Sequence, residues 1–331
     1  MRAAPSPTRR GWGWVAAGAL VLGVLVASLI AGDLVLSPAD VWAAVTGRAD
    51  AFTTTVVMSW RLPRALAALA FGAALGAAGA VFQSVTRNPL GSPDVIGFNT
   101  GAYTGVLIVL LTAPAAGFGL LAGASLVGGL ATAALVLAFS RGAGLGERTF
   151  ILTGIAVGAL LGSINTWLVY RTDTATATAG SVWAAGTLDN TRWQNLTPAL
   201  LGLAVAAIVL MAVAPRLRIL ALGDDVATTL GLRVRKSRTL LITAAVALTA
   251  ITTASAGPIL FIALAAPHLA RATLSRRHPV IAAALAGALL LGMADWLAAH
   301  AFAPAQLPVG AVTISIGGAY LVLTMLQRPR H

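Results

Sequence analysis

The amino-acid sequence predicts an all-α integral membrane protein with about ten transmembrane helices. Of its 331 residues, 58% are hydrophobic and 10% are charged, whereas about a quarter of the residues in a typical soluble domain are charged. The mean hydropathy of the chain is +0.88. Apolar runs of about 20 residues, the length that a helix needs to cross a bilayer, recur along the whole chain. These observations exclude a soluble globular protein.

Nine apolar runs are long enough to be spanning helices. They cover residues 12–31, 63–85, 95–111, 115–139, 150–170, 196–214, 240–256, 279–299 and 309–326. A tenth run, 258–270, follows Gly257 and contains Pro267 and His268 near its end. Because it is too short to cross a bilayer alone, we expect a half-span or a tilted short helix there. No soluble domain interrupts the series, so residues 1–331 are expected to form one transmembrane domain.

The distribution of basic residues predicts the orientation of the chain. If the N-terminus is cytoplasmic and ten segments alternate, 17 of the 22 Lys and Arg residues fall on the cytoplasmic side. The outer side receives only Arg48, Arg61, Arg64, Arg171 and Arg192. This split obeys the positive-inside rule. We therefore expect both termini in the cytoplasm, with residues 1–11 as a cytoplasmic tail.

The first apolar run also resembles a secretory signal peptide, because Arg2, Arg9 and Arg10 precede it. The run is longer than the apolar region of a usual signal peptide, and no clear small-residue cleavage site follows it. We therefore expect an uncleaved first spanning helix.

Few groups in the sequence suit catalysis, metal binding or energy supply. The chain has no cysteine and no G-x-x-x-x-G-K-[ST] motif, and its only lysine, Lys236, is not in a glycine-rich loop. The four histidines are not paired at metal-ligand spacing. We therefore expect no catalytic residue, no metal site and no cofactor in this chain. Asp295, the only acidic residue in a predicted span, leaves an ion-coupled secondary transporter open as an alternative.

The longest predicted cytoplasmic connection, residues 215–239, contains a candidate short helix. Asp224 and Asp225 suit its first turn, Leu230 lies on its apolar side, and Gly231 suits its C-terminal end. One interpretation is an amphipathic helix that rests on lipid headgroups. The other is a docking helix for a cytoplasmic partner, which we favour because two acidic residues are unfavourable against an anionic leaflet.

Two arginines stand one helical turn apart at the predicted outer end of the second span. They are Arg61 and Arg64 in the stretch WRLPRAL, where Pro63 suits the first turn of a helix. A tryptophan and arginine anchor at the membrane surface is one explanation. Because arginine is rare on the outer side of this chain, a binding site for an acidic partner is an equal alternative.

The stretch RNPLGSPDVIGFNTGAYTG, residues 87–105, interrupts the apolar pattern with polar residues and prolines. Asn88-Pro89 and Ser92-Pro93 are expected to stop one helix, and Asp94 is expected to cap the next one. The interruption is therefore a predicted cytoplasmic turn.

Glycine recurs at four-residue spacing inside several predicted spans. Examples are Gly72 with Gly76, Gly101 with Gly105, and Gly154 with Gly158 and Gly162. Such faces let helix backbones approach closely within a membrane. We expect a packing role for these glycines, although a role in lining a transport path stays open.

Taken in order, the motifs resemble those of the FecCD family, the ten-helix permease subunits of ABC importers for iron-siderophores, haem and vitamin B12. They are RLPR with GAALGAAGAVFQ, then RNPLGSPD, LGDDVATTLGLRV, GPILFIALAAPHLAR, and ADW followed by QLPVGAVTISIGG. The likeness covers nearly the whole chain. Within the family, the likeness is greatest to members that carry ferric enterobactin. It rests on the stretch RNPLGSPDV, on NTWL at 165–168 and on GDD at 223–225.

The resemblance implies a vitamin-B12-permease-like bundle and a role for several residues. It assigns the cytoplasmic gate to Asn88 and Leu90, the ATPase coupling helix to Asp224, Asp225, Thr228, Leu230 and Gly231, docking of a binding protein to Arg61 and Arg64, and possible path lining to Asn99, Thr100, Gly101 and Asn165. Some members have a further outer arginine where this chain has Ala299 and His300. This departure weakens docking on this subunit and favours a heterodimer over a homodimer.

The resemblance also implies partners, a location and a cargo. The chain is expected to be a permease subunit in the bacterial cytoplasmic membrane, surrounded by lipid, with a second permease chain, ABC ATPase subunits that bind ATP and Mg²⁺, and an extracytoplasmic siderophore-binding protein. Nucleic acid is not an expected partner. The expected cargo is a ferric siderophore of the catecholate, enterobactin-like type. Haem and vitamin B12 remain alternatives because they need a similarly wide path.

Overall fold

The computed structural model describes residues 7–32, 34–94, 97–142, 147–274, 278–301 and 306–326, and within these ranges the chain is helical and contains no strand. The helices are α1 (Pro7–Ile30), α2 (Pro38–Val45), α3 (Ala51–Thr54), α4 (Leu62–Val85), α5 (Phe98–Thr112), α6 (Phe118–Gly142), α7 (Glu147–Tyr170), α8 (Thr174–Ala184), α9 (Trp193–Val213), α10 (Arg216–Leu220), α11 (Asp224–Thr229), α12 (Val234–Ala256), α13 (Ile262–Thr273), α14 (Pro279–His300) and α15 (Val309–Leu326). A π-helical segment, Thr55–Arg61, joins α3 to α4 without a break.

Every predicted span coincides with a helix. Seven helical segments in the described ranges are long and apolar enough to cross a membrane, and α5 and α15 supply two shorter apolar helices. The short run predicted at 258–270 is α13, which has 12 residues. At 1.5 Å per residue such a helix is about 18 Å long, less than the roughly 30 Å of a hydrocarbon core. The prediction of a half-span is therefore confirmed.

Helix α4 lies at the centre of the bundle. Helices α1, α9, α12, α13 and α14 all pack on it, while α5 packs on α6 and α7, and α12 contacts both groups. Phe71, Leu75 and Phe82 of α4 are almost fully buried. The ring of Phe82 lies 5.9 Å from that of Phe98 and 6.5 Å from that of Phe150, measured between centroids. These contacts join α4 to α5 and α7.

Small residues let neighbouring helices approach closely. A Cβ atom added to Gly72 would overlap the carbonyl oxygen of Gly287, and one added to Gly76 would overlap the backbone of α14. Gly101 and Gly105 make the same kind of close contact with α6. The predicted packing role of these two glycine pairs is confirmed.

Replacing Gly287 by leucine is expected to lower the thermal stability of the purified chain. Overpacking a close contact costs about 1–3 kcal/mol, and the added side chain meets backbone of Gly72 that cannot rotate away. The measurement is the melting temperature in detergent. Gly18→Leu in α1 is the control, because nothing lies within 4 Å of a Cβ atom there. Equal melting temperatures for the two variants would contradict the close contact.

Helix α4 begins at Leu62 with Pro63 in its first turn, as the sequence predicts, but further helix precedes it. The helical segment begins at Ala51 and continues through Pro63. Proline lacks an N–H group, and its ring clashes with the carbonyl four residues earlier in an ordinary helix. The π-helical segment widens the turn just before Pro63, where Leu62 N donates to the Val57 oxygen five residues earlier. The wider turn allows the helix to continue past the proline.

Several short helices lie outside the predicted spans, among them α2 and α8. Helix α8 is 11 residues long and begins after Asp173, whose carboxylate accepts a hydrogen bond from Thr176 N at 3.4 Å. Hydrogen bonds from Thr176, that of its side chain first and that of its backbone N–H second, hold the pKa of the Asp173 carboxyl below its ordinary value. Helix α8 packs on α5, where the rings of Tyr103 and Trp183 stack with centroids 6.0 Å apart.

Candidate coupling and docking sites

A short helix occupies the predicted coupling loop. Helix α11 has Asp224 and Asp225 in its first turn and is capped at Leu230. Gly231 follows with φ +80°, a left-handed conformation that glycine adopts readily. The exposed side chains on and beside α11 are those of Asp225, Val226, Thr228, Thr229 and Leu230. The helix therefore has the boundaries that the sequence predicts, and it presents acidic, polar and apolar groups on its surface.

Asp224 connects α11 to two other parts of the chain. Its Oδ1 atom accepts from Nη2 of Arg87 at 3.0 Å and from Nη2 of Arg238 at 2.9 Å. Arg87 follows the C-terminal end of α4 and also donates to the carbonyl oxygen of Leu220 at 3.2 Å. Arg238 lies near the start of α12. One carboxylate thus links the predicted coupling loop to the central helix and to α12.

The predicted gate residues lie immediately beyond Arg87. Arg87 has φ +44°, in the left-handed region, and it follows the C-cap of α4. In the turn that comes next, Oδ1 of Asn88 accepts from Leu90 N at 2.9 Å. The side chain of Leu90 is exposed. The structure therefore brings the predicted gate and the predicted coupling helix together through the pair of Arg87 with Asp224.

The residues predicted to line a path lie at contacts between helices. Nδ2 of Asn99 donates to Oδ1 of Asp94 at 2.9 Å, and Oδ1 of Asn99 accepts from a hydroxyl of α12 at 3.0 Å. Asn165 of α7 donates to the carbonyl oxygen of Thr100 at 3.1 Å. Both asparagines are buried, and Gly101 packs on α6. In this chain these groups hold α5 against α6, α7 and α12, and their lining role stays a prediction.

On the outer side, Arg64 holds three parts of the chain together. Its guanidinium contacts both carboxylate oxygens of Asp295 in α14, with Nε to Oδ2 and Nη2 to Oδ1 each at 3.0 Å. Nη1 lies 2.9 Å from Oδ1 of Asp189, in the connection between α8 and α9, and 3.4 Å from Oε1 of Gln306. The Asp295 side chain is 6% exposed and that of Asp189 is 37% exposed. Asp295 is thus the structural partner of Arg64, and Asp189 is the accessible one.

Arg61 stabilises the end of the first helix. Its Nη1 atom donates to the carbonyl oxygens of Leu29 at 2.8 Å and of Ile30 at 3.2 Å, and Nη2 donates to that of Leu34. The last carbonyl groups of a helix have no partner within it and carry partial negative charge, so a basic side chain is favourable there. Arg61 therefore attaches α1 to the π-helical segment.

A cavity of about 530 Å³ opens beside these arginines. Arg61, Arg64 and Arg192 line it together with Asp189 and Asp295. A concave surface that carries both signs of charge suits the docking of a charged segment of another protein. The docking role of Arg61 and Arg64 stays a prediction, and Arg192 is a further candidate that the sequence did not single out.

The sequence did not reveal how these charged groups pair. Arg64 and Asp295 are 231 positions apart, and Arg87 and Asp224 are 137 positions apart, so no local pattern connects them. One available signal was Asp295 itself, because an acidic residue inside a spanning helix needs a partner. Within the described ranges, no group of three or more His, Asp and Glu residues is placed to hold a metal ion.

Known proteins share the sequence pattern and the fold of this chain. The model of the FecCD transport family matches residues 20–327. The chain is 45% identical over 307 residues to the ferric enterobactin transport system permease protein FepG of Escherichia coli (strain K12), covering 91% of this chain and 92% of that protein. It is 34% identical to the Fe(3+)-citrate import system permease protein YfmE of Bacillus subtilis (strain 168), covering 92% of each. A metal-chelate type ABC transporter solved in an inward-facing conformation has a TM-score of 0.85 and 26% identity, covering 95% of this chain and 98% of that one. This chain is a multi-pass membrane protein that belongs to the FecCD transport family.

Proposed function

We propose that this chain is the permease subunit of an ABC importer that carries a ferric siderophore of the catecholate type across the bacterial cytoplasmic membrane. One observation carries the transport mechanism: a surface helix on the predicted cytoplasmic side, α11, is tied by Asp224 to the loop that contains the predicted gate. The cargo class is supported by the similarity to a ferric enterobactin permease along nearly the whole chain. ATP and Mg²⁺ act on a separate ATPase subunit, and this chain makes and breaks no bond in the cargo.

The ATPase subunit binds α11 and moves it when ATP binds to the ATPase. Because Oδ1 of Asp224 contacts both Arg87 and Arg238, displacement of α11 acts on the end of α4 and on the start of α12 together. Arg87 directly precedes Asn88 and Leu90, so the same displacement moves the predicted gate. This geometry supports a rigid-body movement of packed helices that opens or closes the cytoplasmic end of the path.

The siderophore-binding protein docks at the outer cavity, where its acidic residues contact Arg61 and Arg64. Arg64 uses Nε and Nη2 for the buried Asp295 and Nη1 for the more exposed Asp189. An acidic residue of the binding protein therefore competes with Asp189 for Nη1, while the contact to Asp295 persists. Docking in this form leaves the packing of α4 on α14 intact.

A second, different permease chain completes the path against the exposed side of α7. Only 11% of the most apolar stretch of α7 is buried within this chain. Ser163 and Thr166 lie on its exposed surface. Hydroxyl groups are more favourable beside a polar path than against lipid tails, and small polar residues also suit close contact between helices. The heterodimer is preferred because this subunit has Ala299 and His300 where some members of the family have an outer arginine.

Reconstitution in proteoliposomes tests the proposal. Vesicles containing this chain, its partner permease and the ATPase, with the binding protein outside and ATP inside, are expected to accumulate radiolabelled iron supplied as ferric enterobactin. Vesicles without ATP or without the ATPase are the controls. Uptake driven by a proton or sodium gradient in the absence of the ATPase would instead establish an ion-coupled secondary transporter.

The cargo is tested separately from the energy source. The purified binding protein is titrated with ferric enterobactin, a ferric hydroxamate, haem and cobalamin, and the tightest binding is expected for the catecholate. A preference for any other ligand in this set, with ATP-driven uptake of that ligand, would support an ABC importer and would contradict the proposed cargo.

A further inference from the structure

Asp94 carries a carboxyl group beside the predicted gate that the proposed coupling path does not use. It lies four residues after Leu90 and four residues before Phe98, where α5 begins. Its Oδ1 atom accepts from Nδ2 of Asn99 at 2.9 Å, and Oδ1 of Asn99 accepts from the hydroxyl of Thr253 at 3.0 Å. This chain of hydrogen bonds connects the turn after α4 to α5 and to α12.

The second oxygen of this carboxyl has no hydrogen-bond donor. Oδ2 of Asp94 is buried, and no group in the described part of the chain donates to it. The polar groups that face the carboxyl are the side chain of Asn99 and the backbone N–H of Phe261, just before α13. No basic side chain of the described residues forms an ion pair with it, and Arg87, in the same turn, contacts Asp224 instead. An ionised carboxylate in such surroundings is unfavourable.

Burial raises the pKa of the Asp94 carboxyl to about 7, although the N–H of Phe261 and the amide of Asn99 act in the opposite direction. No charged side chain on α5, α12 or α13 adds to this effect. The carboxyl is therefore neutral in slightly acidic solution and ionised in slightly alkaline solution. A small change in pH decides whether a negative charge stands at this contact.

The turn around Asp94 is closely packed. Residues 91–93 before it are buried, and so is Phe98 after it. Gly97 has φ +81°, and a Cβ atom added there would lie 2.8 Å from the Cα atom of Gly158 in α7. Because an ionised carboxylate is stabilised by water, it gains hydration only when it leaves such a position. Ionisation of Asp94 is thus expected to displace the turn from α5, α7 and α12.

We propose that Asp94 is a positioning residue of the cytoplasmic gate: its neutral form holds the turn of residues 87–94 against α5 and α12, and its ionisation releases that turn. Because Asn88 and Leu90 belong to the same turn, the gate closes fully only while Asp94 carries a proton. The amount of cargo transported per ATP hydrolysed then falls as the pH rises through the neutral range. The inference rests on the proposed function, since a gate has a role only in a transporter.

Melting temperatures of the purified full chain test the protonation of Asp94 without transport. A carboxyl whose pKa is raised on folding stabilises the folded chain below its ordinary pKa of 3.8, and this contribution is lost as the pH rises to about 7. Asp94→Asn resembles the neutral carboxyl in shape and cannot ionise. Between about pH 5 and about pH 8, the melting temperature of the variant is expected to rise relative to the wild type by at least about 2–4 °C. An unchanged difference would overturn the inference.

Asp40→Asn is the matched control for this measurement and for transport. Hydrogen bonds from the side chain and the backbone of Ser37 lower the pKa of Asp40, so its carboxylate is ionised throughout this pH range. Replacing it is expected to shift the melting temperature by the same amount at both pH values.

The reconstituted importer tests the gate itself. Uptake of ferric enterobactin is measured per ATP hydrolysed, with both sides of the vesicles buffered at about pH 6.5 or at about pH 8. The ratio in the wild type is expected to fall about eightfold, as does the neutral fraction of an acid whose pKa is about 7. Asp94→Asn is expected to lose this pH dependence, whereas Asp40→Asn is expected to follow the wild type.

The outcomes separate this inference from the proposed function. If the ratio in the Asp94 variant fell with pH as it does in the wild type, the role of Asp94 would be wrong and the importer would stand. A low ratio in the variant at both pH values would indicate a merely structural contact and would also overturn the inference. Absence of ATP-driven uptake by the wild type at both pH values would contradict the proposed function, and the gate with it.

Discussion

Replacing Arg64 by leucine is expected to destabilise the folded chain by about 3–5 kcal/mol, the usual cost of leaving one member of a buried ion pair without its partner. The Asp295 side chain is 6% exposed, and three guanidinium contacts of 3.0–3.1 Å compensate for its burial. Leucine removes all three. The free energy of unfolding in mixed detergent micelles measures the loss.

The double variant Arg64→Leu/Asp295→Leu is expected to recover most of that stability. Replacing both members of a buried pair by apolar residues of similar volume is often neutral. The double-mutant cycle then gives the coupling between the two positions. If the single variant were as stable as the wild type, or if the double variant recovered no stability, the pair of Arg64 with Asp295 would not stabilise the contact between α4 and α14.

The same double variant separates the structural role of Arg64 from its proposed docking role. Because hydrogen bonds to charged groups contribute about 1.5–3 kcal/mol, loss of a docking contact is expected to weaken binding-protein affinity at least tenfold, even though the bundle is restored. Asp189→Asn removes the competitor for Nη1 and is expected to raise the affinity. Arg48→Gln, at another exposed outer arginine, serves as the control. Unchanged affinity in both the double variant and the Asp189 variant would exclude docking at Arg64.

The spanning helices of this chain are predictable because each one is marked by a local sequence signal. An apolar run of about 20 residues specifies a span whatever its neighbours are, and the short run after Gly257 specifies α13 in the same way. Asp224, Asp225 and Gly231 mark the ends of α11 because caps depend on residues within a few positions of each other.

The contacts to which we assign a function are not local, and for that reason the sequence could not place them. Asp225 and Asp224 are adjacent and chemically identical, yet only Asp224 meets Arg87 and Arg238. Pro63 reads locally as a helix start, and only the π-helical turn before it, within a longer segment, lets the helix pass through. The position of a charged residue along the chain thus predicts on which side of the membrane it lies. Which charged residues pair is determined by the folded bundle.

Asp224→Asn is expected to lower ATP-driven uptake about tenfold, because coupling between two sites typically corresponds to a factor of about 5–150. The neutral amide weakens both contacts to the arginines. The Arg87 and Asp224 side chains are 43% and 45% exposed, and such a pair contributes about 0–1 kcal/mol. The Arg238 side chain is only 12% exposed, so a modest fall in thermal stability is expected, limited by the amide oxygen that can still accept a hydrogen bond from it. Uptake in the reconstituted vesicles and the melting temperature are the two measurements.

The arginine partners provide the controls for this prediction. Arg238→Gln removes a contact to Asp224, whereas Arg235→Gln changes an exposed arginine three positions earlier in the same helix. Uptake is expected to fall in the first variant and to stay near the wild-type rate in the second. Equal losses in both would indicate a general effect of cytoplasmic charge.

Combining Arg87→Gln with Asp224→Asn decides whether the two residues act as one link. If force passes from α11 to the gate through this pair, either change breaks the link, and the double variant is expected to be no slower than Asp224→Asn alone. Multiplied losses would mean that Arg87 and Asp224 act by separate routes. The ATPase is expected to remain bound and active in all three variants, because α11 still carries its exposed surface. Hydrolysis without uptake is therefore the result that distinguishes a broken link from a lost docking site.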